Sequence, residues 1–98
     1  MSGIEDYFKE IRNSVTPQLY TKILQYLEEW KSKTTPETWD ELRKAEPIVC
    51  HWGLGMWIRN TYLWKDEEIQ AEFHSVGCSH VDDMSHVILE IWIEELNK

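Results

Sequence analysis

A chain of 98 residues with 42% hydrophobic content has the scale of a single domain, 1–98, with one core and no room for a second. No run approaches the ~20 apolar residues of a membrane helix, and Met1-Ser2-Gly3-Ile4-Glu5-Asp6 lacks the basic and apolar blocks of a signal peptide, so a cytoplasmic protein without a membrane partner is expected. The net charge of −8 argues against direct binding of nucleic acid, which selects basic surfaces that displace its counterions.

Ile4, Phe8, Ile11 and Val15 recur at the spacing of one apolar stripe on a first helix. Thr16-Pro17 is a cap followed by proline at the first helical position, and Leu19, Ile23, Tyr26, Leu27 and Trp30 carry a second helix to about Lys31. Lys31 to Thr35 reads as a polar loop, after which Thr35-Pro36 repeats the signal ahead of Trp39 and Leu42 in a short third helix, with Pro47 marking its end. Ile48, Leu54, Ile58 and Tyr62 predict a fourth helix from Ile48 to about Tyr62. Its two glycines each cost about 1 kcal/mol against alanine and so point to close packing.

Asp66 is placed to cap a fifth helix carrying Ile69 and Phe73, and Gly77 to stop it. Ser79 or His80 starts the sixth. Asp82 and Asp83 lie in its first turn, where the helix dipole favours negative charge, and Met84, Val87, Ile88, Ile91 and Trp92 form its buried face. No segment reads as a strand, an internal repeat or a linker. The fold expected is all-α, a small orthogonal bundle of about five or six helices.

Six Trp and four Tyr suit an aromatic-rich core, each ring burying ~150–250 Å². Their excess leaves room for a homo-oligomer formed through an aromatic face on the first two helices. Charge is uneven: residues 1–64 sum to −1 and residues 65–98 to −7. The two cysteines, Cys50 and Cys78, show no metal or redox spacing and read as reduced thiols.

Two segments hold an unusual polar inventory: His51-Trp52-Gly53-Leu54-Gly55-Met56-Trp57-Ile58-Arg59-Asn60 and His80-Val81-Asp82-Asp83-Met84-Ser85. On one continuous helix His51 and Gly55 would share a face with Ile58 and Arg59. The pair resembles the signature of a bacterial and phage family of unknown function, His-(aromatic)-Gly-Leu-Gly-Met-(aromatic)-Ile-Arg-Asn followed by His-Pro-Asp-Asp-Met-Ser. The first block matches throughout. The second matches at His80, Asp82, Asp83, Met84 and Ser85, with Val81 in place of proline. The resemblance covers roughly Ile48 to Leu96 and implies no activity.

Two readings of these blocks stand side by side. In the architectural one, Arg59 pairs with Asp82 or Asp83, Asn60 caps the end of the fourth helix, Ser85 bonds within the first turn of the sixth, and the glycines admit a crossing helix. In the other, Arg59 and His51 bind an anion with help from the first-turn amides of the sixth helix, against which Asp82 and Asp83 weigh. His74, Cys78 and His80, with Cys50 and His51, are conceivable zinc ligands without an established spacing. Cys50 or Ser85 with His51, His80 and an aspartate could form a triad only if geometry assembled them.

No cofactor or metal is expected, and the chain reads as a binder and not an enzyme. The leading expectation is an acidic interaction protein, an inhibitor, immunity or anti-defence protein, that docks Glu67, Glu68, Glu72, Glu90, Glu94 and Glu95 on a basic protein surface. The alternative is a module for a nucleotide-like anion built from His51, Trp52, Trp57, Arg59 and Asn60.

Overall fold

A computed structural model describes residues 4–47, 50 and 53–98, and every regular element among them is helical. The helices are α1 (Ile4–Ser14), α2 (Pro17–Lys33), α3 (Pro36–Lys44), α4 (Leu54–Ile58), α5 (Glu67–Ser75) and α6 (Val81–Leu96). α4 runs without a break into a π-helical segment, Arg59–Leu63. The fold is an all-α bundle.

Local chemistry sets most boundaries. Thr16 Oγ1 accepts from the Leu19 N–H at 3.1 Å and Pro17 opens α2; Thr35 caps α3 in the same way through the Thr38 N–H. α2 overruns its expected end by two residues because Thr34 makes the turn itself. The Thr34 hydroxyl donates to the Trp30 carbonyl at 3.1 Å and accepts from Trp39 Nε1 at 2.8 Å. Asp66 Oδ1 accepts from the Ile69 N–H at 3.1 Å to cap α5. At the other end Gly77 adopts φ +93°, and the Gly77 and Cys78 N–H groups bond to the His74 and Phe73 carbonyls, the paired closure that a left-handed residue allows.

The fourth helix departs from expectation. Ile48 lies outside the described residues, while Cys50 and Gly53 sit in turns and the helix begins at Leu54. Its winding then widens: the Trp64 N–H reaches the Arg59 carbonyl, five residues back, at 3.0 Å.

α6 packs against every other helix. Its buried residues are Met84, Ser85, Val87, Ile88, Leu89, Ile91 and Trp92, a wider band than the single stripe read from spacing. Trp92 is fully buried, donates its indole N–H to the Ile23 carbonyl at 3.0 Å and stacks on Trp30 at 5.5 Å.

The aromatic face expected on the first two helices is covered. Phe8 and Trp30 are buried, and Tyr7, Tyr20 and Tyr26 are half-buried, their hydroxyls donating to Asp83, Glu95 and Asp66.

Two outcomes follow from this packing. Trp92→Ala removes the largest fully buried side chain and is expected to lower unfolding free energy by about 3–5 kcal/mol, read from urea denaturation. At Asp66, burial raises the carboxyl pKa, but Lys22, the Tyr26 hydroxyl and the Ile69 amide outweigh it and hold it below 3.8. A folded-state value below the unfolded one contributes stability that is present above the unfolded pKa and lost as pH falls through the folded one. Denaturation midpoints measured between about pH 6 and 2 should therefore fall less steeply for Asp66→Asn than for the parent.

Candidate functional site

The two segments singled out in the sequence meet where α4 and its π-helical continuation cross the start of α6. Arg59 is only 6% exposed. Its Nη1 donates to Ser85 Oγ at 2.8 Å and its Nε lies 3.3 Å from Asp82 Oδ1. The Ser85 hydroxyl in turn donates to the Asp82 carbonyl at 2.8 Å. The guanidinium thus ties one helix to the first turn of another, where its charge also offsets the first-turn carboxylates.

Gly55 makes the approach feasible. A Cβ there would stand 3.3 Å from both Arg59 Nη1 and the Cys50 carbonyl oxygen, and 3.6 Å from Leu89. Gly53, by contrast, has open space where its Cβ would be, so close packing explains one of the two glycines.

The remaining residues of the two segments scatter. Asp83 turns to α1 and accepts from the Tyr7 hydroxyl at 3.3 Å; burial, then Cys78 and Asp83, push the Tyr7 pKa up to about 12. His80 is exposed at the N-cap of α6, with its side chain making no cap bond. Asn60 is exposed inside the π-helical segment and does not cap a helix end, because the winding continues to Leu63. His51 and Trp52 lie outside the described residues, and with them the helical face expected to join His51 to Gly55.

Trp57 is half-buried, edge-on to Tyr62 at 5.5 Å. It forms one wall of an open cleft of about 700 Å³ with Trp30, Leu42, Ala45, Cys50 and Leu54. Arg59 is not among the cleft's lining residues.

A family model for a domain of unknown function, DUF6794, matches residues 4–96. The chain belongs to the DUF6794 family. The match takes in α1 to α3 as well as the region from Ile48 to Leu96 in which the resemblance was read, so the DUF6794 domain is the whole helical bundle. No curated protein and no solved structure matches it.

The six carboxylates expected to face a partner differ in how free they are. Glu67 is exposed and makes no ion pair among the described residues, and Glu68 is exposed while lying 3.4 Å from Lys22. Glu72 is half-buried. On α6, Glu90 and Glu94 flank Arg12, while Glu95 accepts from Tyr20 and Lys98; Lys98 and Tyr20 hold the Glu95 carboxyl below its usual value.

Among the described residues no three His, Cys, Asp or Glu side chains are grouped so as to hold a metal ion. His74 and His80 face solvent while Cys78 is buried. Burial pushes the Cys78 thiol up to about 11 and raises that of Cys50 as well, the direction opposite to an activated nucleophile.

Sequence reasoning missed the π-helical turn, the cleft and Trp64, which is 62% exposed. Trp64 falls off the Leu54, Ile58, Tyr62 stripe, which is a signal the spacing does carry.

Arg59→Ala is expected to destabilise the DUF6794 domain by about 2–4 kcal/mol, since it leaves the buried Ser85 hydroxyl without its donor and a void beside α6. Asp82→Ala should lose less than about 1 kcal/mol, its side chain being 69% exposed. Gly55→Ala is expected to lose about 1–3 kcal/mol and Gly53→Ala less than about 1 kcal/mol. Urea denaturation of the four variants checks the order.

Proposed function

We propose that this DUF6794 domain is a non-enzymatic acidic interaction protein that docks on a basic surface of a partner protein. An inhibitor, immunity or anti-defence role fits this behaviour, as does the bacterial or phage setting that the two-segment signature suggests. The observation that carries the reading is the fate of the cations. Eight of the ten Lys and Arg residues are engaged in ion pairs among the described residues, whereas Glu37, Glu41, Glu46 and Glu67 are exposed acids that make no ion pair there. The field seen by an approaching molecule is therefore negative, which steers a basic partner and repels polyanions. Ser85 is committed to Arg59 and to the Asp82 carbonyl, and Cys50, the other candidate nucleophile, is half-buried with its thiol pKa raised by burial, which supports a binding role over a catalytic one.

A second reading, a small-molecule module, draws support from the cleft walled by Trp30 and Trp57. Its apolar lining suits a planar apolar group better than a phosphate, because the lining contributes Lys33 as cation with Glu41 as a counter-charge, and Arg59 is held elsewhere.

Tagged protein incubated with native-cell extract at low and at about 0.5 M salt, with Glu67→Lys/Glu68→Lys as a paired control, tests the reading. The expected result is a basic protein retained at low salt only and lost with the charge-reversed variant, whose circular dichroism stays helical. Retention of a nucleotide or other small molecule without any protein would overturn it in favour of the cleft.

A further inference from the structure

We infer that the outer face of α4 and its π-helical continuation, centred on Trp64, is the docking surface for an arginine-bearing basic segment of the partner protein; this rests on the acidic-binder reading and names where that partner sits. Trp64 and Met56 are the large hydrophobic side chains left exposed among the described residues, at 62% and 43%. Asn60, also exposed, lies between them. Steps of four residues keep Met56, Asn60 and Trp64 on one side of the helix, while Gly55, Ile58, Arg59, Tyr62 and Leu63 are buried on the other.

The indole is presented on fixed backbone. The Trp64 N–H closes the π-helical turn on the Arg59 carbonyl at 3.0 Å, and the Lys65 and Asp66 N–H groups both bond to the Tyr62 carbonyl, at 3.2 and 3.0 Å. Asp66 then caps α5 and is held by Lys22 and Tyr26. An anchor ordered before contact loses little conformational freedom on binding.

Charge decides the occupant. A second copy of the chain would bring −8 against −8, whereas Glu67 and Glu68, both exposed, follow Trp64 by three and four residues. Arginine uses both features at once: its guanidinium stacks on an indole face and donates in a fork to carboxylate oxygens. Lys65, exposed beside Trp64, is a local charge of the opposing sign and gives the surface a variant that should improve it.

The test is a titration of nona-arginine peptide, with a glycine-serine peptide of equal length as control, into protein carrying nitrogen-15 in its indoles. Expected are a saturable shift of the Trp64 indole resonance with nona-arginine only, affinity weakened about tenfold by Trp64→Ala, and affinity strengthened by Lys65→Glu. Circular dichroism of both variants verifies that these exposed replacements leave the fold intact. Equal binding to the parent and Trp64→Ala would overturn the anchor while leaving the acidic-binder reading standing. Absence of binding to nona-arginine would count against both. A Trp64 shift that follows protein concentration alone would assign the face to a second copy and overturn the proposal.

Discussion

Burial of α6 on nearly every side is the constraint from which the rest of the bundle follows. A helix with Leu89 and Ser85 buried as well as the Met84, Val87, Ile88, Ile91 and Trp92 stripe cannot be covered by one neighbour, so all the other helices lie against it. Its polar groups must then be met from those neighbours. Arg59 meets Ser85 and Asp82, Tyr7 meets Asp83, Arg12 meets Glu90 and Glu94, and Tyr20 meets Glu95. Glu94 and Glu95 stand in the last turn of α6, where the helix dipole disfavours them, and Arg12, Tyr20 and Lys98 supply the compensation.

The uneven charge along the chain therefore has a structural meaning. Of the nine acids after Lys65, seven form ion pairs with, or accept from, described side chains of residues 1–64: Asp66, Glu68, Asp82, Asp83, Glu90, Glu94 and Glu95. The acidic third is stitched to the remainder by ion pairs and by tyrosine hydroxyls. Such pairs orient helices more than they add stability. They also leave the net charge untouched, so the same acids fix the packing of α6 and set the long-range field.

What the sequence disclosed was whatever depends on near neighbours. Thr16, Thr35, Asp66 and Gly77 act within four residues, and each marks the boundary it was expected to mark. The pairing of Arg59 with Asp82 could be named as one of two choices, because charge type and helical face suffice for that. The start of the fourth helix could not, since it depends on how the Cys50 carbonyl is accommodated beside Gly55 and Arg59. Asn60 looked like a cap only because plain α-helical winding was assumed to stop there. The tyrosine–carboxylate bonds join residues 40 to 76 positions apart, a distance over which no spacing rule operates.

A π-helical turn is, in geometric terms, an α-helix that has absorbed one additional residue. With one residue fewer between Arg59 and Trp64, ordinary winding at about 100° per residue would bring the chain to the turn before α5 in nearly the same direction. Chains of this fold can therefore differ in length by one residue at this point without displacing α5 or α6. Such a gap belongs inside the helix, among Arg59–Leu63, and not in the turn that follows, where Asp66 must remain in step with Lys22 and Tyr26.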